Sequence, residues 1–222
     1  MKPYYQDASC TIFHGRAEVI VPSIEPAMFD LLLTDPPYGI GEARARNKTR
    51  SVKAVSRDYG DAAWDDRAPP RWVLDMLRAR ATHSIIFGGN YFDLPPSSCW
   101  LVWDKDNGEN DFADCELAWT NLPKAVRRLK YRWQGMLQEK QGAERETRWH
   151  PTQKPIDVIR WAMSHAPAEV ATILDPFMGS GTTLRAAKDA GKRCVGIDAE
   201  ERYCEIAAKR LAQEVLPLGV AG

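Results

Sequence analysis

The sequence predicts an α/β protein built on a doubly wound, mostly parallel sheet with helices on both faces. Three observations carry that prediction. Apolar runs such as Phe29 to Thr34 and Ser84 to Phe87 are too short for helices and end in turn signals, so they read as buried strands. The last third alternates strand, helix, strand, helix. A βαβα unit of this kind implies parallel strands joined by right-handed crossovers. Finally, 222 residues suffice for one well-buried domain and are few for two.

Taken in order, Thr11 to Gly15 is a short first strand, and residues 17–28 are a weak helix broken by Pro22 and Pro26. The run from Phe29 is the central strand, ending at Asp35. Residues 39–64 carry no apolar period and are expected to be a mobile loop. Trp72, Val73, Met76 and Leu77 recur at helical spacing behind Pro69 and Pro70, giving an amphipathic helix over 69–80. Ser84 to Phe87 is the next strand. Trp100 to Trp103 and Cys115 to Trp119 form a strand pair whose acidic connection contains Asn107-Gly108. Residues 120–149 are polar, basic and aromatic without a clear period. A helix follows from Pro155 to about His165, then a strand over Val170 to Leu174, a glycine turn, a helix to Ala190, a strand over Arg193 to Ile197, and a last helix from Glu200 to about Glu214.

Hydrophobic content of 44% and charge of 27% fit an ordinary soluble globular protein. Thirty basic residues balance thirty acidic ones, so the distribution of charge matters rather than its sum. Arg44, Arg46, Lys48, Arg50, Lys53 and Arg57 form one basic run. Lys124, Arg127, Arg128, Lys130 and Arg132 form another, and an acidic block from Asp104 to Glu116 lies between them. Five cysteines, odd in number and without C-x-x-C, argue against a disulfide framework or a zinc site and point to a reducing cytoplasm. Four scattered histidines give no metal signature. No leader or membrane-spanning run is expected.

Two stretches carry chemistry. Asp35-Pro36-Pro37-Tyr38 follows the central strand. The prolines stiffen the loop, so a carboxylate, a carbonyl and an aromatic face are presented together. That set suits a planar ring bearing an amino group, with two acceptors for N–H₂ and a surface for stacking. The second stretch is Asp175-Pro176-Phe177-Met178-Gly179-Ser180-Gly181-Thr182-Thr183. Gly179 and Gly181 allow close approach of a ligand to the backbone at a helix start. Asp198, 23 residues beyond Asp175, ends the next strand where a ribose diol is accepted. No lysine follows Gly181 and the full G-x-G-x-x-G is missing, so a nucleoside without pyrophosphate fits better than a nucleotide. A tight turn that only packs helix on strand is the plainer alternative.

Together these stretches resemble the S-adenosylmethionine-dependent DNA amino-methyltransferases. The catalytic motif precedes the cofactor motif, the permuted order of that family's beta group, and His150 to Pro155 resembles the element that precedes the cofactor strand there. The likeness runs from Thr11 to about Leu211. It implies a Rossmann-like methyltransferase fold with S-adenosylmethionine as cofactor and double-stranded DNA as partner, and places the chain with restriction-modification enzymes. Asp35, Pro36, Pro37 and Tyr38 would be catalytic, with Tyr38 stacking on a base that must leave the duplex. Asp35, Asp175, Phe177, Gly179, Ser180, Gly181 and Thr182 would surround the cofactor, Asp198 would take its ribose, and Lys154 would lie near its carboxylate. Lys154 reads equally well as a solvated cation at a helix start. Asp35 as the first motif residue and Tyr38 as the fourth lean toward the N6 amine of adenine over the N4 amine of cytosine.

The chain departs from the family in two places: Gly15-Arg16 stands where Gly-Asp is usual, and the candidate DNA-recognition segment is small, residues 120–149 being all that lies between the last strand pair and the His150 motif. Arg44, Arg46, Lys48, Arg50 and Lys53, with Arg127, Arg128, Lys130 and Arg132, are the candidates for contact with DNA, and ordinary solvated charge is the alternative. A homodimer would supply a second basic face. A non-catalytic DNA-binding protein on the same scaffold, and RNA or a free nucleotide as substrate, are the competing readings.

Overall fold

The computed structural model describes residues 1–40, 68–108, 113–134, 137–150 and 152–213. The basic run from Arg44 to Arg57, and with it nearly all of the expected loop, lies outside these residues. Eleven strands are described, nine of them in one sheet. They are β1 (Tyr5–Gln6), β2 (Cys10–His14), β3 (Phe29–Thr34), β4 (Ala81–Phe87), β5 (Trp100–Asp104), β6 (Cys115–Thr120), β7 (Arg127–Lys130), β8 (Trp133–Gln134), β9 (Leu137–Gln138), β10 (Thr172–Asp175) and β11 (Arg193–Asp198). The helices are α1 (Ala17–Ile20), α2 (Arg71–Arg78), α3 (Ile156–Ser164), α4 (Thr182–Asp189) and α5 (Glu201–Ala212). Among the described residues no helix is long and apolar enough to cross a membrane.

The sheet order is β1-β2-β11-β10-β3-β4-β6-β5-β7. The five strands from β2 to β4 run parallel, β6 is antiparallel to both its neighbours, and β7 closes the far edge parallel to β5. The run of three leucines in β3, Leu31 to Leu33, has a direct cause, because both faces of the sheet are covered. Leu31 and Leu33 point to one face with Ile85 and Phe87, where Val158 and Ile159 of α3, Leu184 of α4 and Ala207 of α5 pack. Leu32 and Ile86 point to the other, against Val73, Leu74 and Leu77 of α2 and Ile20 of α1.

Connections leave β3 and β10 in opposite directions: β3 leads through α2 to β4, while β10 leads through α4 to β11. The C-terminal edges of these two adjacent strands therefore border a switch-point crevice, where open α/β sheets bind ligands. The junction is fastened at both ends. At its start the Asp30 carboxylate accepts hydrogen bonds from the Ala171 amide at 2.9 Å, the Thr172 amide at 2.8 Å and the Thr172 hydroxyl at 2.8 Å. At its far end the Thr34 hydroxyl donates to Asp175 Oδ1 at 2.7 Å.

Several expectations need correction. Residues 17–28 shrink to one turn of helix plus a 3₁₀ turn at Val21–Ser23, because Pro22 lacks the amide a longer helix would spend there. A strand pairing was missed at the N-terminus, where β1 lies antiparallel to β2. Residues 120–149, which show no period, hold β7, the β8–β9 hairpin and a 3₁₀ turn at Gly142–Glu144. These strands are two to four residues long, too short to print an alternation.

Leu32 is fully buried at the centre of the junction. Leu32→Ala is expected to lower unfolding free energy by about 2–5 kcal/mol, through lost burial plus the cavity left behind, with an unchanged m value in urea titration.

Candidate active site

Asp35 leaves β3 just past Thr34, whose hydroxyl holds Asp175 at the end of neighbouring β10, so two motifs 140 residues apart in the chain face one crevice. A cavity of about 890 Å³ opens there. Its walls include Asp35 and Pro37 from the first motif, and Asp175, Phe177, Gly179, Ser180 and Thr182 from the second. Asp198, Lys154 and His150 complete the set. Pro36 and Tyr38 belong to the same loop, and Gly181 stands at the N-terminus of α4 with φ near +78°. A side chain on Gly181 would also press on Ala207 of α5, at 2.8 Å, so glycine serves both the turn and the packing.

The glycine turn is held from several sides. Asp198 accepts the Gly179 amide on Oδ2 and the Glu200 amide on Oδ1, each at 2.9 Å. Gln153 accepts from the Trp149 amide at 2.8 Å and the Ser180 hydroxyl at 3.3 Å, tying the His150–Pro155 segment to the turn. His150 packs on the Tyr203 ring with centroids 4.4 Å apart. Arg210 of α5 donates to the Ser180 carbonyl at 2.5 Å from behind. Gln153 lies within the His150–Pro155 segment that the sequence marks, whereas neither Tyr203 nor Arg210 carries a signal there. Each acts through a contact between distant segments.

At the other end of the crevice, the Tyr38 hydroxyl donates to Asp35 Oδ1 at 2.7 Å, and the Lys154 ammonium donates to Asp35 Oδ2 at 2.6 Å and to the Tyr38 oxygen at 3.2 Å. Lys154 is only 7% exposed, which removes the solvated-cation reading. Its ammonium also lies 2.9 Å from Glu116 Oε2 on β6 and faces the Phe87 ring at 5.4 Å. The Tyr38 ring stacks on Tyr91 at 4.8 Å. Gly88 lies directly beneath Tyr38, since a Cβ there would fall 2.0 Å from the ring. Tyr91 and Glu116 were not singled out as site residues in the sequence. Glu116 read as one acid among a solvated block.

Burial sets the protonation of the carboxylates. It pushes Asp175 up to about 7 against the hydrogen bonds from Thr183 and Thr34, and Asp198 up to about 6 against the amides it accepts. Burial also raises Asp35, with Lys154 opposing. A mouth lined by acids and aromatic or apolar side chains, with one ammonium at its inner end, suits a cationic nucleoside carrying a carboxylate. Arg16 reaches the same mouth but is paired with Glu18 at 2.5 Å, so an acid is present close to where Gly-Asp is usual.

The DNA candidates divide. Arg127 and Arg128 are exposed on edge strand β7. Lys130 and Arg132 both reach Asp106, at 2.8 and 2.5 Å, so part of that charge is neutralised within the chain.

Asp175 carries a stability consequence. Its folded-state value lies above its ordinary value of 3.8, so its contribution is fully present below about pH 4 and is lost as pH rises through about 7. Asp175→Asn should therefore gain on the order of 4 kcal/mol over the unsubstituted protein at pH 8, with the gain vanishing toward pH 4, in parallel urea titrations.

Comparison with known proteins agrees with this geometry. The N6_N4_Mtase family model, described as DNA methylase, matches residues 99–209, half of the chain. Type II methyltransferase M2.LlaDCHI of Lactococcus lactis subsp. cremoris is 27% identical over 252 residues, covering 95% of this chain and 92% of the relative. Type II methyltransferase M2.DpnII of Streptococcus pneumoniae is 28% identical over 255 residues, covering 96% and 93%. Among solved structures, the M1.HpyAVI–SAM complex shares the fold with a TM-score of 0.56 at 22% identity, covering 92% of this chain and all of that one. The cytosine-N4-specific PvuII DNA methyltransferase does so with a TM-score of 0.61 at 12% identity, covering 97% and 90%. The family model spans half of the chain and the relatives match nearly all of it: the chain belongs to the N6/N4 DNA methylase family of S-adenosylmethionine-dependent DNA amino-methyltransferases.

Proposed function

We propose that the protein transfers a methyl group from S-adenosylmethionine to the N6 amine of an adenine flipped out of double-stranded DNA. The observation that carries this reading is the single cavity shared by Asp35, the glycine turn and Asp198. Amine acceptor and cofactor cradle thus stand within reach of one another. When bound, the cofactor supplies an electrophilic methyl on a sulfonium, which passes to the amine nitrogen with release of one amine proton.

The residues of the chain do the rest by position and charge. Asp198 and the turn at Phe177, Gly179, Ser180, Gly181 and Thr182 take the nucleoside part, and Asp35 provides negative charge beside the sulfonium, with Asp175 adding to it as pH rises through about 7. Lys154 lines the same cavity and serves the carboxylate. The exocyclic amine is a poor nucleophile because its lone pair is delocalised into the ring. Accepting its two hydrogens on the Asp35 carboxylate and the Pro36 carbonyl favours a pyramidal nitrogen whose lone pair points outward. Pro36 and Pro37 keep these acceptors in place. Tyr38 offers its ring for stacking, and Asp35 Oδ1, which now accepts its hydroxyl, is the oxygen that the incoming amine must win. Arg127 and Arg128 on β7, with the basic run from Arg44 to Lys53, hold the phosphates, as does the charge on Lys130 and Arg132 beyond that taken by Asp106. Five free thiols suit the reducing cytoplasm in which such an enzyme would meet DNA.

The test is incubation with methyl-labelled S-adenosylmethionine and mixed-sequence duplex DNA, followed by digestion to nucleosides. Label in N6-methyladenine is expected. Label in N4-methylcytosine would keep the transfer chemistry and replace the base, and absence of label from both would overturn the reading.

A further inference from the structure

The Lys154 ammonium lies between two carboxylates from different parts of the sheet, Asp35 after β3 at 2.6 Å and Glu116 on β6 at 2.9 Å. Lys154 donates a hydrogen bond to Asp35 Oδ2, and Glu116 Oε2 is the more distant ion-pair partner of the same ammonium. The other Glu116 oxygen is 2.5 Å from Lys105. Charge therefore alternates along Lys105, Glu116, Lys154 and Asp35, four side chains none of which is more than a quarter exposed. Among the described residues, the other titratable groups in this neighbourhood are Tyr38, on both Asp35 and Lys154, and Asp175, whose ionisation Asp35 disfavours.

Such a chain poses a problem that Glu116 resolves. Asp35 must stay ionised in a place where burial pushes its proton affinity up, and a neighbouring ammonium is the means. An ammonium held by Asp35 alone would be a lasting competitor for the carboxylate that has to receive an amine. We propose that Glu116 is a positioning residue for methyl transfer: by sharing the Lys154 ammonium that hydrogen-bonds Asp35, it weakens that cation's hold and leaves the carboxylate able to accept the target base. This rests on the transfer reaction proposed above.

The electrostatics run the same way. Burial works against a charged Lys154, yet Asp35 and then Glu116 hold it well above the ordinary lysine range. Burial would raise Glu116, but Lys154 and Lys105 bring it down to about 2, so it is anionic at any working pH. Its negative charge in turn raises Asp35. The two partners of Lys154 thus act on Asp35 in opposite senses. Removing Glu116 takes away a negative charge and leaves the Lys154 ammonium to Asp35 alone, so the Asp35 titration moves down; removing Lys154 leaves Asp35 beside Glu116 and moves it up.

The experiment follows the Asp35 carboxyl carbon by ¹³C NMR through a pH titration of the full chain, alongside steady-state methyl transfer. In Glu116→Gln the Asp35 midpoint should fall by about one pH unit. In the same variant kcat should drop about tenfold, with KM for S-adenosylmethionine within about twofold. In Lys154→Met the midpoint should rise by about 1–3 units. If Lys154→Met does not fold, Lys105→Met takes its place. There Glu116 leans wholly on Lys154 and the midpoint should again rise. Shifts of the same sign in Glu116→Gln and the lysine variant, or an unchanged kcat in Glu116→Gln, would overturn the proposal. The titration needs no turnover, so an unsubstituted protein that methylates nothing would bring down the transfer reaction itself, and the positioning role with it, whatever the midpoints do.

Discussion

The seam between β3 and β10 is the constraint on which the rest of the molecule depends. It is where the winding of the sheet reverses, and it brings together two motifs that the chain separates by 140 residues. Nonpolar burial on both faces holds it, and polar fastenings at each end fix its register. Asp30 receives three hydrogen bonds from Ala171 and Thr172 at the lower end, and Thr34 donates to Asp175 at the upper one. A slip of one residue would turn Leu32 toward the wrong face and draw Asp35 away from the cofactor turn. Stability and function share this seam.

The crevice above it concentrates charge, and the protein manages that charge by pairing rather than by solvation. Asp198 is satisfied by the amides of the turn it supports. Asp175 is buried enough to titrate near neutrality. Asp35 has an oxygen on Tyr38 and the other on Lys154. Each acid thereby has a different set of partners and a different environment within one small pocket, as the roles proposed for them require. The aromatic side follows the same logic. Tyr38 rests on Tyr91 over a glycine that leaves no room for anything larger.

Much of this was legible in the residues themselves. Strands β3, β4, β10 and β11 announce themselves as apolar runs with turns behind them, and the glycine turn and the Asp-Pro-Pro-Tyr loop lie where those runs end. Pro22 explains why the weak helix after Gly15 stops after one turn. Long-range pairing was not legible. Lys154 could be a solvated cation or a site residue until the fold placed it beside Asp35, and Glu116 looked like part of an acidic surface block. Strands β7, β8 and β9 are too short to show a period and depend on β5 or on one another for their hydrogen bonds. Asp30 interrupts an apolar run for a reason that appears only when β10 lies alongside.

The central claim is that Asp35 accepts the target amine while the glycine turn and Asp198 hold the cofactor. Its most direct test compares Asp35→Ala with the unsubstituted protein, measuring S-adenosylmethionine affinity by calorimetry and methyl transfer in a single turnover on duplex DNA. The account predicts affinity within about threefold and a transfer rate lower by about 10²–10⁴-fold. Transfer within about tenfold of the unsubstituted rate, with the cofactor bound, would contradict it.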